Sequence, residues 1–518
     1  MGSEIRVRNF HDGHTLREEL SGREFETIIT PLVEDAIAVA EGALRNAGMD
    51  RSGLTSILLA GGTSQIPCVQ DSLEKCFECE VKIAAKDLMW LIAKGAAIHH
   101  RDFMKLPGEE TQQMLGSDLF LETATYGRLE PTLLVPARQT LPHTCFREFS
   151  INAYTTDLTI QLLRQSGTDN QEMTSLTRRE ISMNGSRLSK IDVQVRIDIN
   201  KTIKVSVVDP TTKLPLENVE IQGDILDTAE EIRILRERYG LSEVVSPPVG
   251  HDQRYAIGID LGTTTCEAMV YDTQEKAFLR GVEEPLLSRV FVRKGGVPDF
   301  RKRDDIGNRG HSLENSNHFW NFKVDIGRDT GSTKYHQEGK QWPPEILSAY
   351  LLAVIWNDLQ AKFGAKAALY QAVITVPSDF SPDQNALVEK AAKIAGIASP
   401  ITLTEPVAAA LAYNEEYQDI QKPNQNFLIF DFGGGTTDVC IIKTKPGGKI
   451  EELGRNGNNS IGGENLTTAI ADALIDRFEA AHEANYDKLT RDQLRRTLKP
   501  EADKAKVAIS QALAKGDE

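Results

Sequence analysis

The sequence predicts an α/β protein interrupted by a segment of all-β character. Two observations carry this. Strand-to-helix alternation occupies residues 4–103 and returns over 254–518, whereas 118–223 holds only short alternating strands. A strand–aspartate–glycine–threonine turn also occurs twice, with strands on both sides. The copies are Tyr255-Ala-Ile-Gly-Ile-Asp260-Leu-Gly262-Thr263-Thr264-Thr265 and Phe427-Leu-Ile-Phe-Asp431-Phe-Gly433-Gly434-Gly435-Thr436-Thr437-Asp438.

In chain order, Glu4–Asn9 reads as a polar strand. A helix is expected over about 23–48, because Phe25, Ile28, Ile29, Leu32, Val33, Ala36, Ile37 and Val39 follow helical spacing. Ser56–Ala60 then runs into Gly61-Gly62-Thr63, and a further helix ends at Lys94–Ile98. Pro107-Gly108 marks 104–117 as a linker. Strands are expected at Thr132–Val135, Phe149–Asn152, Leu158–Leu163, Ile191–Ile197 and Ile203–Val207, which together read as a sandwich. Thr228–Tyr239 is a short charged helix, and 240–253 is a second linker. The last helix covers about 493–513.

Composition narrows the classes. With 518 residues, three to four domains fit; 40% hydrophobic and 26% charged content is ordinary for a globular protein. The net charge of −16 argues against general binding to nucleic acid or to an anionic membrane. No apolar run approaches the roughly 20 residues of a bilayer span. The start has no signal-peptide pattern, and the six scattered cysteines form no disulfide framework, so a cytoplasmic location is expected. Cys76-Phe-Glu-Cys79 is a lone CxxC without the second ligand pair of a closed zinc site, and reads as plain thiols.

The paired turns suggest a phosphate grip. Glycine lets backbone N–H groups approach phosphate oxygens, and threonine hydroxyls add donors. An aspartate at the strand end suits Mg²⁺, which keeps several waters and few carboxylates. One Asp-x-Gly-x-Thr alone fits an ordinary hairpin equally well. Two copies, 171 positions apart (431 − 260), make the phosphate reading the stronger one.

These segments resemble the nucleotide-binding domain of the Hsp70 chaperones, in the actin/sugar-kinase/Hsp70 superfamily. Ala372-Val-Ile-Thr-Val-Pro377-Ser-Asp-Phe380, Leu403-Thr-Glu405-Pro406-Val-Ala-Ala-Ala-Leu-Ala-Tyr413 and Ser460-Ile-Gly462-Gly463-Glu464-Asn465 add to the likeness. The resemblance implies a two-lobed actin-like (ribonuclease-H-like) ATPase domain plus an all-β sandwich. It divides the chain into 1–112 (C-terminal part of the ATPase domain), 113–225 (sandwich), 226–250 (short helix and linker) and 251–518 (N-terminal part of the ATPase domain). It implies ATP/ADP and Mg²⁺ as cofactors, with Asp260 and Asp431 toward the metal. Lys323, Glu405, Asp431, Asp438 and Thr436 take catalytic roles. Asp260, Gly262, Thr263, Thr264, Thr265, Gly433, Gly434, Gly435 and Thr436 surround the phosphates. Gly61, Gly62, Thr63, Gly462, Gly463, Glu464, Asp503, Lys506 and Ser510 complete the nucleotide site. Positions 503, 506, 507 and 510 share one helical face.

The resemblance further implies unfolded or extended apolar peptides and co-chaperones as partners, with no nucleic acid and no membrane. Leu133, Phe149, Ile151, Leu158 and Ile160 are the groove candidates, although alternate strand positions also form cores. Asp118-Leu-Phe-Leu121 resembles the family's interdomain linker. There are departures. Val507 and Gln65 stand where the family has arginines, Thr265 where it has an aromatic residue, and Val407 where it has threonine. Asn459-Ser460 replaces an acidic–threonine pair, and Asn152 takes an apolar groove position. No long helical lid like the family's is expected, since only Thr228–Tyr239 follows the sandwich as a helix.

The order of the parts also differs, because the family's Gly-Gly-Thr-Ser strand follows its Asp-Leu-Gly-Thr-Thr strand. Joining Glu518 to Ile5 restores that order and predicts a circular permutation. Met1-Gly2-Ser3 reads as a cloning remnant, so an engineered permutation is expected. A nucleotide-dependent scaffold whose sandwich binds one dedicated partner is the alternative function; a sugar kinase is disfavoured by the sandwich.

Overall fold

The computed structural model describes residues 2–83, 88–105, 119–125, 128–136, 142–152, 157–166, 172–182, 188–197, 203–212, 215–222, 229–239, 241, 254–293, 297–299, 318–328, 334–337, 339–364, 367–417, 422–482 and 486–515. Asp118, Glu518, Pro107-Gly108 and most of the second linker lie outside them.

The described helices are α1 (Gly22–Ala47), α2 (Pro67–Phe77), α3 (Leu91–Lys105), α4 (Ala229–Tyr239), α5 (Pro344–Phe363), α6 (Pro382–Ala395), α7 (Glu405–Glu416), α8 (Gly463–Ala481) and α9 (Lys488–Ala514). Local chemistry sets several ends. Ser21 and Glu24 form a capping box on α1, and Gly48 closes it in the left-handed region at φ 63°. Ser381 and Gln384 do the same for α6, with Gly396 at φ 105°.

Two sheets share one plan. In the first, Ala277–Arg280, Thr265–Asp272 and Tyr255–Leu261 are antiparallel neighbours, followed by the parallel strands Gln371–Val376 and Ser399–Thr404. In the second, Ile450–Asn458, Thr437–Thr444 and Asn426–Phe432 are antiparallel, followed by the parallel strands Ser56–Ala60 and Val81–Ile83. Strands Ser56–Ala60 and Gln371–Val376 are almost wholly buried, as parallel strands covered on both faces require. The second sheet takes its parallel strands from the start of the chain.

α3 and α7 cross between the sheets. α3 leaves the second sheet and packs on strand Tyr255–Leu261 of the first; α7 leaves the first and packs on Asn426–Phe432 of the second. Glycine permits both close approaches. A Cβ at Gly95 would collide with the Ala408 carbonyl, and one at Gly258 with the Ala93 carbonyl.

Residues 119–222 form two further antiparallel sheets of four strands each. They share one core, with Leu119, Leu121 and Ile160 from one sheet and Val193, Val195 and Val205 from the other. Leu119–Leu121 is therefore strand, paired on both sides, and not a linker. An acidic–apolar run reads alike in either role; burial of Leu119 and Leu121 decides it. The hairpin at the chain start has a second strand, His14–Ser21, which the sequence reading missed. Its Leu16 and Leu20 alternate into the core. Gly2 and Ser3 pair with Ser21 and Leu20, so the supposed cloning remnant is part of that hairpin.

α4 packs against α6 and the core under the first sheet. Its Arg236 is buried and donates to the Ile394 carbonyl at 2.8 Å, at the end of α6.

Candidate functional site

Each Asp-Gly-Thr turn closes a hairpin, and the two hairpins meet. Thr264 occupies the space a Cβ at Gly434 would need, and Thr263 Cγ2 lies 2.6 Å from the Cβ position of Gly435. The opposed threonines are thus what demands glycine in the partner turn. Gly61, at φ 77°, sits against Asp431 and the Phe432 carbonyl, where no side chain fits.

The hairpins also align carboxyl groups. Asp431 is directly opposite Asp438, and Asp260 is directly opposite Glu267. Directly opposed residues share a sheet face. Both pairs are seven positions apart (438 − 431 and 267 − 260). That spacing was visible in the sequence, but the sequence reading did not pick out Glu267. All four are buried, together with Glu405 and Lys323. Lys323 lies in the one-turn segment Lys323–Asp325 and forms an ion pair with Glu405. Thr375 Oγ1 donates to Asp260 Oδ1 at 2.5 Å.

Burial dominates the electrostatics. It raises Asp260, against the pull of Lys323 and the Thr375 hydrogen bond. It raises Glu267 and Asp431 well above the usual carboxylate range, and neighbouring carboxylates add to both. Glu405 is pushed up to about 8 by burial, with Lys323 opposing. Burial lowers Lys323, but Glu405 and Asp260 outweigh it and hold the ammonium charged. Asp438 is raised by burial and pulled back by Ser378.

Five carboxyl groups against one ammonium leave an excess of acid, which a hard divalent cation with oxygen ligands would balance. Asp438 Oδ2, Glu267 Oε1 and Asn321 Oδ1 are buried without a hydrogen-bond partner among the described residues. Those open oxygens fit hydrated Mg²⁺. No three His, Cys, Asp or Glu side chains among the described residues converge as direct ligands of a metal.

The remaining nucleotide candidates mostly brace the second turn. Gly463 N–H donates to the Gly433 carbonyl at 3.0 Å, and Glu464 N–H to the Gly434 carbonyl at 2.7 Å. Gly462 stacks on the Gly435 backbone, and Thr63 Oγ1 donates to the Gly433 carbonyl at 2.8 Å. The Glu464 side chain is paired with Lys499 at 2.9 Å. Lys506 Nζ bridges Asp503, Thr467 and the Gly463 carbonyl. Ser510 Oγ donates to the Lys506 carbonyl at 2.7 Å. Gly62 faces open space, and Val507 is 41% exposed.

Of the groove candidates, Leu133 is exposed, while Phe149, Ile151 and Leu158 are partly buried against the shared core. Ile160 is 2% exposed and belongs to that core, which removes it from the groove set. Phe146, at 66% exposed, is an open aromatic that the sequence reading did not select. All six cysteines are free thiols. No described helix is long and apolar enough to cross a membrane.

The family profile described as Hsp70 protein matches residues 3–241 and 300–516. The chain belongs to the Hsp70 family. Similar proteins include the chaperone protein DnaK of Mycoplasma mycoides subsp. mycoides SC, 34% identical over 260 residues, covering 50% of this chain and 41% of the relative. DnaK from a strain of Thermus thermophilus is 32% identical over 276 residues, covering 50% and 43%. DnaK of Deinococcus proteolyticus is 32% identical over 275 residues, covering 50% and 42%. The chain thus spans less than half the length of these relatives. Within this Hsp70-family chain, the facing turns and their buried acids supply the chemistry on which a functional reading rests.

Proposed function

We propose that this chain is an ATP-dependent Hsp70-like chaperone, hydrolysing ATP to ADP and phosphate and binding extended apolar peptide segments. One observation carries the reading: two Gly-Thr turns from two sheets face each other over five buried carboxyl groups and a buried lysine. Positioning and charge neutralisation are what phosphoryl transfer asks of a protein.

In this reading the turn amides and the hydroxyls of Thr263, Thr264 and Thr436 hold the phosphates. Lys323 carries positive charge toward the γ-phosphate. Asp438 and Glu405 orient the attacking water, and Asp260 and Asp431 face the hydrated Mg²⁺. Bound Mg²⁺ would neutralise phosphate charge. Thr63, Gly62, Asp503, Lys506 and Ser510 border the nucleoside side. Val507 offers no cation to adenine, which would weaken binding by about 1–2 kcal/mol.

Each of the two similarly planned sheets, with its helices, would be one lobe of an actin-like ATPase. The paired four-stranded sheets would be the peptide-binding sandwich, with Leu133 and Phe146 at its open surface. The docking of α4 on α6 supports an unlidded groove and fast peptide exchange. The free thiols support a reducing compartment such as the cytoplasm.

A circular permutation accounts for the source of the second sheet's parallel strands. Two placements support it. Gly2 pairs with Ser21, and the adjoining Gly22 lies against Leu513 near the end of α9, with 3.1 Å from its Cβ position to Leu513 Cδ2. The first and last described elements therefore pack together, as a join between the chain ends requires.

The deciding experiment is steady-state ATP hydrolysis with and without unfolded apolar peptides. Stimulation by diverse peptides is expected. ATP binding with no turnover and capture of a single partner would instead establish the scaffold reading.

A further inference from the structure

Next to the acids already described lies a second polar cluster that no role above uses. It is built by Ser378 and Asp379, just beyond strand Gln371–Val376. The N–H and the hydroxyl of Ser378 both donate to Asp438 Oδ1, each at 2.7 Å. Ser378 and Asp438 are both buried. One oxygen of Asp438 is thereby saturated from a single residue, while Oδ2 is left buried without a hydrogen-bond partner among the described residues. The carboxylate cannot rotate without breaking both bonds, so which oxygen stays open is fixed.

Asp379 guards the same spot. It is hydrogen-bonded by the Asn459 side-chain amide, and its Oδ1 is likewise buried and unpartnered among the described residues. The two acids flank Gly457: a Cβ there would lie 3.2 Å from Asp379 Cβ and 3.3 Å from Asp438 Oδ1. Gly457 is also the strand partner directly opposite Asp438. A side chain at Gly457 would press on both acids, which would have to give by a few tenths of an ångström.

We propose that Ser378 and Asp379 are positioning residues for hydrolysis: Ser378 locks Asp438 so that Oδ2 alone accepts from the attacking water, and Asp379, held by Asn459, closes the other side of that water's site. This rests on the ATPase reading. Neither residue touches the phosphates in this scheme: Ser378 acts through Asp438, and Asp379 acts by bordering the water's site. Burial, with Asp438 adding, raises Asp379 to about 6, and Arg328 and Arg455 oppose. This is the behaviour of a carboxyl group kept beside another.

The test compares wild type with Ser378→Ala, Ser378→Thr and Asp379→Asn, measuring kcat and KM for ATP and the affinity for ADP. Ser378→Ala keeps the N–H bond and loses the hydroxyl bond. It is expected to lower kcat about tenfold with KM and ADP affinity within twofold. Ser378→Thr restores the hydroxyl and should keep kcat within twofold. Asp379→Asn keeps the shape and should lower kcat at least fivefold without changing ADP affinity. Equal kcat for the alanine and threonine variants, or losses that fall on KM and ADP affinity, would overturn the proposal. If the alanine variant does not fold, an unchanged kcat in Asp379→Asn overturns it alone. Absence of hydrolysis in wild type would remove the ATPase reading itself, a result distinct from active wild type with unaffected variants.

Discussion

Arg236 is the side chain that fastens α4 to the α6 end of the first sheet's layer, and replacing it has a calculable effect. Its guanidinium donates to the Ile394 carbonyl at 2.8 Å and reaches the Lys393 carbonyl at 3.5 Å. These lie in the last turn of α6, where carbonyls lack helical partners and carry the negative end of the dipole. Arg236 is 7% exposed, so solvent screens little of this. A hydrogen bond from a charged donor contributes about 1.5–3 kcal/mol, and the dipole adds about 0.3–1 kcal/mol. Arg236→Ala should therefore weaken docking by about 3 kcal/mol, close to a hundredfold in equilibrium constant. The assay is amide hydrogen exchange over 229–239. Exchange there should speed up by that factor while the α3 and α7 amides stay protected. Arg236→Lys, with charge but no fork, should fall between. Unchanged exchange in α4 of the alanine variant would refute the reasoning, because Ile232, Leu235 and Leu241 would then suffice to hold the helix.

Gly95→Ala drives a Cβ into the Ala408 carbonyl where α3 crosses α7, and overpacking of this kind should cost about 1–3 kcal/mol or more in denaturant unfolding. Lys323→Met removes the one buried cation among the five acids. Single-turnover ATP hydrolysis should fall about a hundredfold or more, and a variant that hydrolyses normally would dismiss the assigned role. His100 is wholly buried; its Nδ1 lies 2.8 Å from the Ile257 nitrogen and 3.1 Å from the Ile257 carbonyl, and its Nε2 faces Gln371 Oε1 at 3.2 Å. Burial lowers its pKa from 6.5 to about 4. The unfolded chain then binds the extra proton, so this stabilisation is present above pH 6.5 and is lost as pH falls through 4. It amounts to roughly 3 kcal/mol at full extent. His100→Gln should flatten the acid limb of a stability-versus-pH curve measured by urea unfolding.

Much of the site was legible because its determinants are local. A strand ending in aspartate, a Gly-Thr turn and a return strand specify a hairpin from neighbouring residues alone, and both hairpins formed at those positions. The helix over residues 22–47 is likewise encoded by its apolar spacing and by the Ser21/Glu24 cap. Glu267 was overlooked, although its seven-residue spacing repeats that of Asp431 and Asp438. Ser378 and Asp379 lie in the Ala372–Phe380 segment that resembles the family, but neither was singled out, and Gly457 carries no motif: each matters only through what a distant strand brings beside it. Leu119–Leu121 misled because an acidic–apolar run fits a linker as well as a strand. Ile160 misled because alternation reveals two faces and not which one is covered.

By itself, then, the sequence determined the two Asp-Gly-Thr hairpins, the family the chain belongs to and the all-β character of the middle segment, since turn chemistry and periodicity act within a few residues. Only the tertiary structure decided that the turns face each other, that Ser56–Ala60 pairs with the far Asn426–Phe432, and that α4 seats on α6. Those outcomes depend on burial and pairing between segments hundreds of residues apart, where hydrophobic surface specifies that a face must be covered and the assembled fold determines by what.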